Sequence, residues 1–134
     1  MSRIFHADDD ASDSWHLKYM INSLDAGVEL MQFRNGLELV QALEHARDED
    51  LPAAIILDVK MPIWDGIKTL NVLKSEARYA GIPLYMWSAA DTTYEMNLCL
   101  QLGVEKYIVK PSTDEQRLTA RIAIAELLTR IEKT

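Results

Sequence analysis

Two rhythms of apolar and polar residues take turns along this chain. Short apolar runs that stop at a polar residue read as buried strands, and apolar residues spaced by three and four read as helices. Ile4-Phe5-His6-Ala7 is the first short run and ends in Asp8-Asp9-Asp10. A helix follows from near Ser12 to Ser14, with Leu17, Met20, Ile21 and Leu24 as its buried stripe and Trp15 and Tyr19 on another face. Asp25-Ala26-Gly27 stops that helix, and Val28 to Phe33 alternates as a second strand. Asn35-Gly36 turns the chain into a second helix whose apolar face is Leu39, Val40, Leu43 and Ala46. The charge run Arg47-Asp48-Glu49-Asp50 reads as a solvated helix end and loop ahead of Pro52.

The clearest run is Ala53-Ala54-Ile55-Ile56-Leu57, which goes straight into Asp58 and is followed by Met61-Pro62 and Asp65-Gly66. It reads as a fully buried strand bounded by turn residues. A third helix runs from about Ile67 with Leu70 and Leu73 inward, and Gly81 closes the segment. Pro83 to Trp87 is the fourth strand and ends in Ser88-Ala89-Ala90. The fourth helix is expected to start with Asp91 or Thr92 as cap and to end before Gly103. Tyr107-Ile108-Val109 is the fifth strand, ending in Lys110-Pro111. Ser112 or Thr113 caps the fifth helix, with Glu115 placed to close a capping box with Ser112. Leu118, Ile122, Ala125 and Leu128 are its expected core stripe, and Ile124, Leu127 and Ile131 form a second apolar line beside it.

Strands that alternate with helices build a parallel sheet covered on both faces by right-handed crossovers. The expected architecture is a three-layer αβα sandwich, a doubly wound five-stranded parallel sheet of flavodoxin-like order 2-1-3-4-5. At 134 residues the chain is read as one domain spanning 1–134, large enough for a sizeable core. Without an attached output domain, any signal is expected to leave through the domain's own surface. The net charge of −7 argues against direct nucleic-acid binding and against attraction to anionic lipid. No apolar run approaches the roughly 20 residues of a membrane span, so no membrane insertion is expected. With a single cysteine, Cys99, no internal disulfide forms, which fits a cytoplasmic protein. Cys99 itself reads as a small packed hydrophobe.

In the expected strand order, the strands ending at Asp8-Asp9-Asp10, Asp58, Ser88 and Lys110 are neighbours, so these groups share one pocket. Each alone has an ordinary role as a cap, a turn former or a solvated charge. Together they are a carboxylate cluster that needs a cation, since two unit charges about 4 Å apart at an effective dielectric near 20 repel by roughly 4 kcal/mol. Lys110 supplies one positive charge, and Mg²⁺ suits the remaining oxygen donors. Asp58 is then a candidate nucleophile forming an acyl phosphate, with Lys110 and Ser88 able to contact phosphoryl oxygens.

On these residues the chain resembles the receiver domain of two-component response regulators over essentially its whole length. The matching pieces are Asp8-Asp9, Asp58-x-x-Met61-Pro62-x-x-Asp65-Gly66, Ser88-Ala89 and Tyr107-x-x-Lys110-Pro111, with Asn35-Gly36-x-Glu38 opening the second helix. The resemblance implies that Asp58 is the phosphoacceptor, and that Asp9, Asp58 and the Lys60 backbone carbonyl hold Mg²⁺ while Asp8 acts through water. It implies that Ser88 and Lys110 contact the phosphoryl group, that Ser88 and Tyr107 form a switch pair, and that the Lys110–Pro111 peptide is cis. The implied partners are a sensor histidine kinase or a histidine phosphotransfer protein, with a homodimer or effector bound through the face of helix 4, strand 5 and helix 5.

Three departures stand out. The Asp triplet leaves two registers, of which Asp8-Asp9 is favoured by the length of the preceding strand. The stretch between Asp9 and Asp58 is longer than usual, with the extra residues placed around Ala46 to Leu51. His6 stands where receivers carry an aliphatic residue and reads as a satisfied strand histidine. The expected function is a stand-alone phosphoacceptor switch, not an enzyme beyond its own phosphotransfer and slow autodephosphorylation. The slow loss follows from Lys60 covering the pocket rim and from Ala90 offering no polar group to a water. The alternative is a phosphorylation-independent interaction module. A haloacid-dehalogenase-type phosphatase needs a second Asp two residues after the first, where this chain has Lys60.

Overall fold

The computed structural model describes residues 2–89 and 92–132. Readings that fall on Ala90 and Asp91 lie outside the described residues. Five strands, β1 (Arg3–Ala7), β2 (Glu29–Phe33), β3 (Ala54–Leu57), β4 (Leu84–Ser88) and β5 (Lys106–Val109), form one sheet in the order β2-β1-β3-β4-β5. Every pairing is parallel. Five α-helices alternate with them: α1 (Ala11–Leu24), α2 (Gly36–His45), α3 (Gly66–Ser75), α4 (Thr93–Gln101) and α5 (Asp114–Glu132).

The sheet divides the apolar residues into two cores, as strands buried on both faces require. Along β3, Ala54 and Ile56 face α1 and α5, where they join Leu17, Ile21, Trp87 and Ile108. Ile55 and Leu57 face α2, α3 and α4, among Leu39, Leu43, Leu70, Leu73 and Cys99. Three helices therefore lie on one face and two on the other. Cys99 is fully buried, and burial pushes its thiol up to about 11, consistent with a packed hydrophobe. Among the described residues no helix is long and apolar enough to cross a membrane.

Local chemistry sets the helix ends. Asp10 caps α1, its side chain accepting from the Asp13 N–H, so the helix begins at Ala11 rather than within Ser12 to Ser14. Asn35 caps α2 and Thr92 caps α4 in the same way. At α5 the expected Ser112–Glu115 box does not form. Thr113 Oγ1 accepts from the Gln116 N–H at 3.1 Å, and the Gln116 side chain reaches back to the Ser112 N–H at 2.8 Å. The long connection after α2 is filled by a 3-10 turn, Asp48–Asp50. Arg78 pins it, donating to Asp48 at 2.9 Å and to the Leu43 carbonyl at 2.9 Å, and Arg3 donates to the Asp50 carbonyl at 3.0 Å.

The phase of α5 corrects the sequence reading. Leu118 and Ile122, expected in the core, are 61% and 51% exposed. The inner face is Ala120, Ala123, Ile124, Leu127, Leu128 and Ile131. The second apolar line, Ile124, Leu127 and Ile131, is the one that packs, together with Leu128 of the expected stripe, because the small Ala120 and Ala123 share its side and let the helix lie close to the sheet.

Candidate functional site

The C-terminal ends of β1 and β3 sit side by side, and backbone hydrogen bonds carry their alignment past the strands. The Asp58 N–H donates to the Ala7 carbonyl at 3.0 Å, and the Asp8 N–H to the Phe33 carbonyl at 3.0 Å. The Asp triplet divides its labour. Asp8 is buried and its Oδ1 accepts from the Asp10 N–H at 3.0 Å, Asp9 is exposed at the mouth, and Asp10 caps α1. The carboxylates that lie beside Asp58 are thus those of Asp8 and Asp9. Asp58 is also buried, its Oδ1 accepting from the Val59 N–H at 2.7 Å. Behind it stands Gly66, whose N–H donates to the Val59 carbonyl at 2.8 Å. A Cβ at Gly66 would lie 2.1 Å from the Asp58 carbonyl oxygen, so only glycine allows α3 to start this close to the site.

Lys110 enters from the end of β5, where its N–H donates to the Ser88 carbonyl at 2.9 Å. Its Nζ lies 2.8 Å from carboxylate oxygens of Asp8, Asp13 and Asp58. Burial opposes the ammonium charge, but its pairing with the Asp13, Asp58 and Asp8 carboxylates outweighs that and holds Lys110 above the usual lysine range. Burial pushes the Asp8 carboxyl up to about 6, against the pull of Lys110. Asp13 was not among the residues expected from the sequence. It lies on the first turn of α1, and the contact spans 97 residues of chain, so neither a strand-end position nor local spacing marked it.

Asp8, Asp9 and Asp58 each offer an oxygen within 4.8 Å of the others. All three are hard donors, and the ammonium of Lys110 leaves their charge uncompensated, which is the donor set a divalent cation such as Mg²⁺ fits. Asp9 and Lys60 line the same cleft of about 610 Å³, together with Met61, Asp65 and Tyr94, and Lys60 is exposed there. Ser88 and Tyr107 are both buried and share a side-chain hydrogen bond. The structure therefore brings together Asp8, Asp9, Asp58 and Lys110 and pairs Ser88 with Tyr107.

The expected cis peptide between Lys110 and Pro111 is not found; among the described residues there is no cis bond. A trans bond suffices because the register of β5 beside β4 already aims Lys110 into the pocket.

His6 is fully buried beneath the pocket. Its Nδ1 is 3.1 Å from Gln32 Nε2, and its Nε2 is 3.9 Å from Asp8 Oδ2. Burial, reinforced by the Lys110 charge, pulls its pKa down to about 3, so the ring is neutral. It is only half the satisfied histidine the sequence suggested, since Nε2 lacks a hydrogen-bond partner.

A doubly wound parallel sheet with an acidic pocket and one lysine at its carboxyl edge defines the class of the molecule. Residues 4–123 match the family model of the response regulator receiver domain, and the chain belongs to that family of two-component signalling domains. The transcriptional regulatory protein PrrA of Mycobacterium leprae is 28% identical over 132 residues, covering 97% of this chain and 48% of PrrA. The DNA-binding response regulator MtrA of Mycobacterium tuberculosis is 29% identical over 120 residues, covering 90% of this chain and 48% of MtrA. The chain spans about half the length of these curated relatives. Among solved structures, the signal receiver domain of a signal transduction histidine kinase from Syntrophus aciditrophicus superposes with a TM-score of 0.73 at 25% identity, covering 97% of this chain and 94% of that one.

Proposed function

We propose that this domain is a phosphoacceptor switch in which Asp58 takes a phosphoryl group from a phosphohistidine of a sensor kinase or of a histidine phosphotransfer protein. The observation that carries the reading is Lys110 Nζ at 2.8 Å from Asp58 and Asp8, inside a cluster of buried carboxylates. A carboxylate oxygen of Asp58 attacks phosphorus; the P–O bond forms as the P–N bond breaks, and its electron pair stays on the donor imidazole. An ionised carboxylate needs no base. Lys110 is placed to move from carboxylate to phosphoryl oxygen and to offset the developing charge. Ser88 can donate to a second phosphoryl oxygen, giving up Tyr107 as it does so. Asp9, Asp58 and the Lys60 carbonyl would hold Mg²⁺, with Asp8 acting through water, and the ion when bound supplies positive charge at the phosphoryl oxygens.

The acyl phosphate adds roughly 1.5 to 2 negative charges at a buried strand end. We place the output on the surface of α4, β5 and α5, through a partner or a second copy, because Ser88 and Tyr107 connect the pocket to that side. DNA binding belongs to the names of relatives twice this length. The charge of −7 gives this domain no electrostatic footprint for nucleic acid, and a cytoplasmic phosphorelay is the setting it fits.

The test is incubation with Mg²⁺ and acetyl phosphate, followed by intact mass. One added phosphate, lost in Asp58→Asn and on removal of Mg²⁺ by chelation, is the expected result. A wild-type protein that stays unmodified is an interaction module that works without phosphate.

A further inference from the structure

His6 plays no part in the phosphotransfer described above, and its surroundings determine which ring nitrogen carries the proton. Gln32 is its direct neighbour across β1 and β2. Gln32 Nε2 donates to the Ser14 carbonyl at 2.8 Å. A carbonyl only accepts, so the amide nitrogen, not its oxygen, faces α1. The same nitrogen lies 3.1 Å from His6 Nδ1 and can only donate to it. Nδ1 is therefore the acceptor, and the proton of the neutral ring sits on Nε2. That N–H is buried without a partner, and the acceptor it faces is Asp8 Oδ2 at 3.9 Å. In this state Asp8 Oδ2 is ion-paired instead with the Lys110 ammonium, at 2.8 Å, without a well-directed hydrogen bond. One ammonium serves three carboxylates, and it must let go of some of them to reach a phosphoryl oxygen.

We propose that His6 is a positioning residue for Asp8: its Nε2–H takes over Asp8 Oδ2 when Lys110 turns to the phosphoryl group. The ring needs to close by less than 1 Å to reach hydrogen-bond distance from its present 3.9 Å. Held this way, the Asp8 carboxylate keeps its orientation beneath the metal site after its lysine partner has left, instead of being pushed away by the new negative charge on Asp58. An aliphatic side chain at position 6 has no proton to offer. The inference rests on Asp58 being the phosphoacceptor.

The experiment is histidine-ring nitrogen–proton NMR on the wild-type protein, before and after loading with Mg²⁺ and beryllofluoride as phosphoryl mimic. Before loading, the His6 ring carries its proton on Nε2; after loading, that proton moves downfield as the hydrogen bond closes. In parallel, His6→Leu loses the phosphoryl group about tenfold faster than wild type, the factor expected for one hydrogen bond to a charged group. Gln32→Leu keeps the ring but frees Nδ1, and gives a mixture of tautomers with an intermediate lifetime. A proton on Nδ1, an Nε2–H that does not respond to loading, or an unchanged lifetime in His6→Leu overturns the proposal. If His6→Leu does not fold, the wild-type spectra decide. Acceptance of phosphate by the wild-type protein is read separately by mass: a phosphorylated protein with an indifferent His6 sinks this inference alone, whereas a protein that takes no phosphate sinks the phosphoacceptor reading and this one with it.

Discussion

Burying a histidine under a carboxylate pocket has a measurable acid signature. The His6 pKa falls from 6.5 to about 3 on folding. Between those values the unfolded chain binds a proton there that the folded chain does not, so stability falls as pH drops through the window. Asp8 works in the opposite sense. Its pKa is raised from 3.8 to about 6, so over that range the folded state holds the extra proton and gains stability as pH falls. Asp8 therefore offsets only part of the His6 effect in the intact protein, and a change at His6 exposes its own share. At about 1.4 kcal/mol per pH unit, the stability of wild type relative to His6→Leu should fall by roughly 2 kcal/mol between pH 7 and pH 5. Urea unfolding of both proteins at the two pH values measures it, and a gap that does not change with pH means the ring is not held neutral. Lys60 is the other residue whose side chain decides something. It is exposed in the cleft beside Asp9. A long cation there can pair with a phosphoryl oxygen and cover the line of attack of a water. Lys60→Glu is expected to speed loss of the phosphoryl group by about three- to tenfold, the effect of one partly screened contact at the barrier. Equal decay in wild type, Lys60→Ala and Lys60→Glu would make Lys60 a solvated charge and nothing more.

At the scale of elements, the junction between β3 and α3 is the most constrained piece of the site. Asp65 Oδ1 accepts from the Lys68 N–H at 2.8 Å to cap α3, and Gly66 lies against the backbone of Asp58. Gly66→Ala forces a backbone oxygen to move, since the new Cβ would start 2.1 Å from it. We expect a loss of about 1 to 3 kcal/mol in urea unfolding, together with slower phosphorylation, because the atom displaced belongs to Asp58 itself. That junction was legible from Asp65-Gly66 alone, as were the buried strands, whose unbroken apolar runs admit few other readings. The sequence was ambiguous where apolar residues cover more than one helical face. In α5, Leu118 and Ile122 continue the spacing of Leu128 as well as any core stripe would, and only packing against Ile56 and Trp87 selects Ile124 and Leu127. Asp13 was missed for a different reason: it reaches Lys110 through the fold, 97 residues away, and no local pattern encodes that. His6 was visible as a departure, but its meaning depended on Gln32 and Ser14, which only the sheet and α1 bring to it.

For the whole molecule, the inverted phase of α5 changes which surface can report phosphorylation. Ile124 and Leu127 are fully buried, so Ile124→Glu or Leu127→Glu places a charge in the core between sheet and helix and should unfold the domain. On the outer side of α5, Leu118 and Ile122 stand exposed one helical turn apart. Two large apolar side chains left next to each other on an outer helix face suit association rather than stability. Leu118→Glu and Ile122→Glu should therefore leave unfolding within about 0.5 kcal/mol of wild type and leave Asp58 able to take phosphate. They should weaken whatever assembly the phosphorylated form makes, read as the loss of a phosphorylation-dependent rise in mass by light scattering or of a partner captured by the phosphorylated protein alone. The contrast among the four variants is what makes the test sharp. Two should be unfolded, and two should be folded, phosphorylated and silent. If Leu118→Glu and Ile122→Glu associate as wild type does, the outer side of α5 is only solvated helix. The signal then leaves elsewhere, and the surface nearest the Lys110–Asp13 pair is that of α1, where Trp15 and Tyr19 stack at 5.5 Å and stand 60% and 64% exposed.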